Sequence, residues 1–277
     1  MLQFKKICTW VLAGALVFSV AGCQTQTQPQ AQSEEPTAEQ ERFDAFIEKE
    51  FVDTMESDYT TAHVYLQDPE SFGVDPDKIS VSLGTRMDEE SQQASLDAFE
   101  ATCEEFRTFD RDELSAEQQD IYDIFDYQVS LSESLSDERF DYYAPMFESI
   151  SGLHYQLPTL FADWQLRNEE DVQDLITLMS DVRPYVDSAL EYTRTQEEKG
   201  LLMLDLDSVI SYCEGIVESG EDSAVLQAMN DSIAALELGE EKTAQYQEQL
   251  RTAFSDSFLS AYQDILDTMR ELQSSGE

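Results

Sequence analysis

Basic residues are scarce in this chain. Its 277 residues include 16 lysines and arginines against 59 aspartates and glutamates, a formal net charge of −43 at pH 7. Apart from Lys5 and Lys6, the basic residues stand singly along the chain and form no cluster. Because a nucleic-acid-binding surface needs clustered lysine and arginine, the composition excludes nucleic acid as a partner. An anionic membrane surface is disfavoured for the same reason, and cationic or neutral partners are favoured.

Histidine is almost absent, and the common catalytic motifs are missing. Only His63 and His154 occur, and no His-Glu-x-x-His zinc-peptidase motif is present. The chain also lacks a Gly-x-Ser-x-Gly esterase elbow and a glycine-rich phosphate loop. Acidic pairs at helical i, i+4 spacing are common in so acidic a chain, and most such pairs are solvent-exposed. We therefore predict hydrogen-bonding, structural roles for both histidines, and assign no catalytic or metal-ligating residue.

Cysteine is scarce as well. Of four cysteines, Cys8 and Cys23 lie near the N-terminus, which leaves Cys103 and Cys213 for any disulfide. Both lie on apolar helical stripes, where a reduced cysteine behaves as a small hydrophobic residue. The pattern favours two buried thiols, although an exported compartment would permit the pair to form a disulfide.

A continuous apolar run occurs only near the N-terminus. Lys5 and Lys6 precede the run from Ile7 to Ala21, and small residues lead from it to Cys23. This is the layout of a secretory signal peptide, and the run is too short to span a bilayer. The end of the run, Val20-Ala21-Gly22-Cys23, resembles the bacterial lipobox, whose cysteine is lipidated and becomes the new N-terminus. Two or more acyl chains of the palmitate type hold a protein stably on a membrane.

This layout divides the chain into three parts. Residues 1–22 are the predicted lipoprotein signal peptide. Residues 23–36 are the lipidated Cys23 and a flexible tether, which has too few apolar residues to fold. Residues 37–277 are an acidic, all-helical domain. We expect a protein that its lipid anchors to the extracytoplasmic face of the cell membrane.

Apolar residues recur at helical spacing almost throughout residues 37–277. Three capping-box pairs predict helix starts: Thr37 with Gln40, Ser115 with Gln118, and Asn168 with Asp171. Pro184 should break or kink the last of these helices. No run of alternating β-branched residues competes, so the pattern predicts an all-α fold, an irregular multi-helix array. The segment Gly152–Pro158 is interpreted as a loop between helices, a place where binding residues concentrate.

Several short segments resemble the amino-terminal half of the bacterial family of domains of unknown function 885. The likeness extends from about residue 41 to residue 272 and is most specific from Tyr142 to Pro158 together with the following Glu170-Asp171-Val172. The segments that carry it are Phe43-Asp44-Ala45-Phe46, Ser57 to His63, Leu114 to Gln119, Gly152 to Pro158, Glu170-Asp171-Val172 and Lys199 to Met203.

Members of that family are similar to helical zinc metallopeptidases, with a His-Glu-x-x-Pro-Gly-His type of motif in a further half. The resemblance implies that this chain is an incomplete half of a larger fold, without a cofactor of its own and with zinc only in the missing half. The chain ends at Glu277, close to where that half would begin, which suggests a truncated or split gene product. The resemblance also implies that Gly152, His154, Tyr155 and Pro158 wall a substrate cleft.

A missing half should leave an apolar stripe uncovered, and the last stripe of the chain is the candidate. Its members are Phe254, Phe258, Tyr262, Leu266 and Met269. We expect these side chains either to fold back onto the domain or to form a surface for a complementary C-terminal half or another protein.

Three functional hypotheses stay open at this point. The first is a lipid-anchored, metallopeptidase-like half-domain that is not catalytic alone. The second is a binding or scaffold lipoprotein that captures a cationic peptide or protein. The third is an enzyme that uses paired carboxylates, with glycans as its substrates.

Overall fold

The computed structural model describes residues 35–135, 140 and 142–275. These residues form helices joined by turns and contain no strand, which confirms the predicted all-α fold. The predicted signal peptide, Cys23 and nearly all of the tether lie outside the described residues. The helices are α1 (Ala38–Ser57), α2 (Tyr59–Tyr65), α3 (Glu89–Phe106), α4 (Ala116–Ser134), α5 (Leu153–Ala162), α6 (Glu169–Glu198), α7 (Leu206–Ser219), α8 (Ala224–Ala235), α9 (Glu240–Ala253) and α10 (Ser260–Ser275), with a π-helical segment at Phe254–Leu259 between the last two.

All three predicted capping boxes are present. At the start of α1 the Thr37 hydroxyl accepts a hydrogen bond from the Gln40 N–H at 3.2 Å, and the Gln40 side chain accepts one from the Thr37 N–H at 3.1 Å. The boxes at the starts of α4 and α6 have the same reciprocal pattern. Each box satisfies N–H groups that the first helical turn leaves without partners, so these helix starts are fixed by local sequence.

Contacts divide the chain into two compact units. The first unit has a segment that ends at Asp58, followed by Leu66–Ile79 and Glu89–Ala144. Its core is a cluster of aromatic rings from α1, α3, α4 and the connection before α4. Phe46 lies 5.2 Å from Phe109 and 5.5 Å from Phe125 between ring centroids. Cys103 is buried in this cluster and is not in a disulfide.

The second unit comprises Tyr59–Tyr65, Ser80–Asp88 and Pro145–Glu277. Helix α6 is its longest helix and packs against α9, the π-helical segment and α10, while α10 also packs against α7. One face of α6 is fully buried, with Val172, Leu175, Met179, Val182 and Val186 all 0% exposed. Hence α6 is the central element of this unit.

The prediction that the last apolar stripe forms a partner surface is wrong. Phe254, Phe258, Tyr262 and Met269 are 0% exposed, and Leu266 is 4% exposed. They occupy the π-helical segment and α10, where the unit's own α6 and α7 cover them. The stripe has therefore folded back onto the domain, the other outcome that the sequence allowed.

The interpretation of Gly152–Pro158 as a loop is also wrong. Helix α5 begins at Leu153, Gly152 is its N-cap, and Pro158 lies inside the helix. Gly152 is needed for close packing, since its φ is an ordinary −68°. A Cβ there would lie 2.4 Å from the Glu148 carbonyl oxygen and 2.7 Å from the Phe147 carbonyl carbon.

Two glycine substitutions in the second unit should have opposite effects. We expect Gly152→Ala to lower the free energy of unfolding by about 2 kcal/mol, because backbone atoms must move to admit the Cβ. Gly215→Ala, inside α7 with nothing within 4 Å of the added Cβ, should raise it by about 0.5–1 kcal/mol through helix propensity. Urea unfolding measures both values. A Gly152→Ala protein as stable as the parent would refute the close-packing role.

Candidate functional site

Pro184 lies inside α6, yet the helix runs unbroken from Glu169 to Glu198, so the predicted break is wrong. Proline has no N–H and leaves the carbonyl four residues earlier, here that of Ser180, without its helical donor. The Ser257 hydroxyl, from the π-helical segment, donates to that carbonyl at 3.0 Å. It also accepts a hydrogen bond from the Arg183 N–H at 2.9 Å. A side chain distant in sequence thus replaces the missing helical bond.

The same repair occurs in α5. Pro158 leaves the carbonyl of His154 without a helical donor. The hydroxyl of Tyr262, a fully buried residue of α10, donates to this carbonyl. The C-terminal helical stretch therefore supplies both missing donors and is bonded along α6 and to α5.

Between α6 and α10 lies an open cleft of about 750 Å³. One row of charged residues on α6 faces another on α10. The charged lining residues are Arg86, Asp88, Arg183, Asp187, Glu191, Arg194, Asp264, Asp267 and Glu271. Acidic side chains outnumber arginines in this cleft, so its net charge is negative.

Two ion pairs bracket the cleft. Arg183 lies 3.0 Å from Asp264, and Arg194 lies 2.8 Å from Glu271. Arg194 also donates to the Thr268 hydroxyl at 3.1 Å. At 1.5 Å per residue, the two arginines are about 16 Å apart along α6. Each end of the cleft is therefore neutralised by a bond between the two helices.

The carboxylates between these ion pairs have no arginine partner. Asp187 and Glu191 lie one turn apart on α6, and neither carboxylate forms an ion pair or hydrogen bond with a residue that the structure describes. On α10, Asp267 accepts a hydrogen bond only from the amide of Gln263, at 2.8 Å. We call Asp187, Glu191 and Asp267 the carboxylate row.

The pKa of Asp187 is raised, mainly by partial burial. Partial burial raises this pKa above its ordinary value, and the neighbouring carboxylates of Asp264 and Glu191 raise it further, while Arg183 opposes them. Because the side chain is largely exposed, the effect is modest. A raised pKa means that the charged carboxylate is disfavoured, so a positive charge placed beside Asp187 would stabilise it.

The segment before α3 contributes the remaining arginine. Arg86 forms an ion pair with Asp181 of α6 and lies over the ring of Tyr185, 5.3 Å from its centroid. The backbone N–H of Leu83 donates to the Asp181 carboxylate at 2.8 Å, and that of Met87 donates to the Ser188 hydroxyl at 3.2 Å. These bonds hold the segment on α6 at the edge of the cleft.

A family model matches residues 70–276, and its description is "Bacterial protein of unknown function (DUF885)". The match covers most of the chain and all of the cleft. This chain belongs to the DUF885 family. No curated protein and no solved structure matches it. The match begins after the segments Phe43–Phe46 and Ser57–His63, so the family model supports the resemblance from residue 70 onward.

The four residues that the DUF885 resemblance suggested as a cleft wall are not brought together at the carboxylate row. His154 is 1% exposed, and Gly152 and Pro158 are buried; only Tyr155 is open to solvent, at 46%. Burial lowers the pKa of His154 to about 4, and its Nδ1 has no hydrogen-bond partner among the described residues. His154 is therefore a neutral core residue at physiological pH.

His63 lies in a separate aromatic cluster of the second unit. Its ring stacks on Trp164 at 4.3 Å between centroids, and its Nε2 lies 2.8 Å from the carbonyl oxygen of Gln165. The guanidinium of Arg167 donates to the His63 carbonyl at 2.7 Å. Burial lowers the pKa of His63. The predicted hydrogen-bonding role of His63 is confirmed.

The described residues contain two buried thiols. Neither Cys103 nor Cys213 is in a disulfide, as predicted. Burial raises the pKa of the Cys213 thiol to about 12, so it stays protonated and unreactive. Within the described residues, no three His, Cys, Asp or Glu side chains are grouped closely enough to hold a metal ion. No described helix combines the length and apolar character needed to cross a bilayer.

Sequence reasoning missed the residues of the cleft, although their spacing carried a signal. Arg183, Asp187, Glu191 and Arg194 follow each other at intervals of four, four and three residues, which places them on one face of a helix. Such a row is typical of an ordinary solvated face. Only its position opposite a second charged row on α10 makes it a cleft.

The proline repairs generate a double-mutant prediction. Tyr262→Phe removes only the hydroxyl that donates to the His154 carbonyl, and we expect it to lower the free energy of unfolding by about 1–3 kcal/mol. In a Pro158→Ala background the restored N–H at position 158 donates to that carbonyl. The same substitution should then cost about 1 kcal/mol less.

Urea unfolding of the four proteins in this cycle measures the coupling. A second, independent cycle uses Ser257→Ala with and without Pro184→Ala. Ser257→Ala should likewise cost less free energy of unfolding in the Pro184→Ala background. Equal costs for Tyr262→Phe in both backgrounds would contradict the repair.

Proposed function

We propose that this DUF885 chain is a lipid-anchored, extracytoplasmic binding protein whose cleft between α6 and α10 holds a cationic ligand. The ligand class is a peptide or protein segment that carries lysine or arginine. The observation that carries the proposal is the carboxylate row, which two ion pairs flank and no arginine neutralises.

The charge arrangement favours this ligand class over an anion. The arginines at the cleft ends are already engaged by Asp264 and Glu271. Partial burial is the main cause of the raised pKa of Asp187, and the carboxylates of Asp264 and Glu191 raise it further. A lysine or arginine side chain placed there would relieve the repulsion without breaking either ion pair. The formal charge of −43 would also attract cationic ligands over a distance.

The anchoring part of the proposal rests on the N-terminal sequence. Lys5, Lys6 and the apolar run end in Val20-Ala21-Gly22-Cys23, and a polar segment follows. A flexible tether of this length averages roughly 20 Å, which would hold the binding domain clear of the lipid headgroups. An acidic cleft presented outside the membrane would then capture cationic segments near the cell surface.

The other implications of the family resemblance stay predictions. The likeness to zinc metallopeptidases assigns no metal-binding residue to this chain, and the complementary half assigns none either. The proposed binding site therefore does not depend on these implications. The site requires only the carboxylate row and the two ion pairs that bound it.

Lipidation predicts a specific effect of Cys23→Ala. In cells fed radioactive palmitate, the parent chain should be labelled and should sediment with membranes, whereas Cys23→Ala should lose at least nine-tenths of the label. Cys8→Ala, which alters the other cysteine of the signal peptide, is the matched control and should keep both properties. Undiminished labelling of the Cys23→Ala protein would disprove the anchor.

The cleft predicts selective binding of a cationic probe. We expect the purified chain to bind a fluorescent tetralysine peptide and not a tetraglutamate peptide. The pair Asp187→Asn and Glu191→Gln should weaken binding of tetralysine about 5- to 10-fold, since each exposed charge contributes up to about 1 kcal/mol. Fluorescence anisotropy at low salt measures the dissociation constants.

The control for the cleft is a second pair of exposed carboxylates with the same spacing. Glu100→Gln with Glu104→Gln, on α3 in the first unit, removes the same charge elsewhere. It should leave tetralysine binding within about twofold of the parent. Equal losses in the two double variants would show attraction by net charge alone and would overturn the proposed site.

A further inference from the structure

Large apolar side chains are exposed at ten described positions, and three of them form a row on one helix. Ile124, Tyr127 and Leu131 of α4 are 50%, 68% and 41% exposed. Their spacing of three and four residues places them side by side along about 10 Å of the helix. No other exposed large apolar residues in the described chain share a helix face in this way. Single exposed apolar residues are normal, but a row on one helix indicates an interaction surface.

The row is distinct from the face by which α4 holds its own unit together. Phe125 and Val129 are each 3% exposed and pack in the aromatic core with Phe106. Ile124, next to Phe125 in sequence, is instead half exposed, on the outer side of the helix. Helix α4 is therefore apolar on two faces, only one of which the described structure covers.

Carboxylates border the N-terminal part of the outer row. Asp120 lies one turn before Ile124 on α4, and Asp123 lies one turn before Tyr127. Glu117, Asp120 and Asp126 are exposed on α4 and have no ion-pair partner among the described residues, and Asp123 is engaged by Arg111. We call these four carboxylates the acidic rim; they favour a partner that brings positive charge over one that brings negative charge.

We propose that the outer face of α4, formed by Ile124, Tyr127 and Leu131 within this acidic rim, docks an amphipathic helix of another protein that carries lysine or arginine beside its apolar stripe. A row at three- and four-residue spacing matches the ridges by which one helix packs against another. Tyrosine at the centre of the row is a residue type that often dominates binding energy at interfaces.

Charge distinguishes this occupant from the alternatives. A second copy of the chain would place one acidic rim against another, and the resulting repulsion opposes a dimer through this face. An anionic lipid surface is repelled for the same reason. A basic amphipathic helix would cover the apolar row with its apolar stripe and place positive charge beside the acidic rim. These contacts involve α4 alone.

The test uses the full chain and a synthetic 18-residue helical probe in which leucines at three- and four-residue spacing alternate with lysines. We expect Tyr127→Ser and Leu131→Ser each to weaken binding of this probe about tenfold. The matched control is Tyr155→Ser, an exposed tyrosine of α5 in the second unit, which should change binding less than twofold. Circular dichroism and the urea midpoint confirm that each variant is folded.

Three results would overturn the inference. One is an equal loss of affinity in Tyr155→Ser, since binding would then be unspecific. Another is equally tight binding of the same peptide with glutamate in place of lysine. The third is a concentration-dependent dimer in analytical ultracentrifugation that Tyr127→Ser abolishes, because the occupant would then be a second copy. Tyr127→Ser and Leu131→Ser should bind tetralysine like the parent, so failure of the cleft proposal and failure of this one are distinguishable.

Discussion

Two hydrogen bonds from the C-terminal stretch to carbonyls orphaned by proline determine how the second unit is built. Ser257 donates to the Ser180 carbonyl, and Tyr262 donates to that of His154. A buried carbonyl without a donor costs about 1–3 kcal/mol, and a partly buried one costs less. The bonded carbonyl is buried at His154 and partly buried at Ser180, so the C-terminal stretch stabilises both proline-containing helices. Both donors lie on the C-terminal stretch, so the two carbonyls are satisfied together only when α10 is in its observed position.

The π-helical turn suits this arrangement. Short π segments often occur at functional or strained positions, and this one carries Ser257. Two aromatic rings of the π-helical segment and one of α10 stack in succession. Between ring centroids, Phe258 lies 4.7 Å from Phe254 and 4.6 Å from Tyr262. The Phe258 ring also meets Phe161 of α5 edge-on, at 6.1 Å between centroids. This contact and the two hydroxyl hydrogen bonds hold the stretch on α5 and α6. The cleft follows from this placement, because the ion pairs between α6 and α10 can form only in a matching register.

The sequence predicted what local interactions decide, and it failed where distant residues decide. The capping box at Thr37 uses atoms three residues apart, so its outcome could be read directly. Pro184 looked like a helix breaker because its remedy, Ser257, lies 77 residues from the carbonyl that it bonds. Asp187 and Glu191 looked like part of a solvated helix face for the same reason, because the charged residues of α10 that face them lie far along the chain.

The apolar surface that the structure leaves exposed is not the one that the sequence predicted. Periodicity alone cannot say which of several apolar stripes a fold covers, and the long stripe around Phe258 is an obvious candidate for exposure. The structure covers that stripe completely and leaves a shorter one on α4 open, with Tyr127 as its most exposed member. In a chain of net charge −43, attraction by charge alone cannot discriminate between cationic partners, since every acidic face contributes to it. Discrimination requires a feature that only some partners match, and an apolar row of defined spacing within an acidic rim provides one. On the two proposals, the cleft would select a cationic segment through its local carboxylates, and the row on α4 would select a partner by shape.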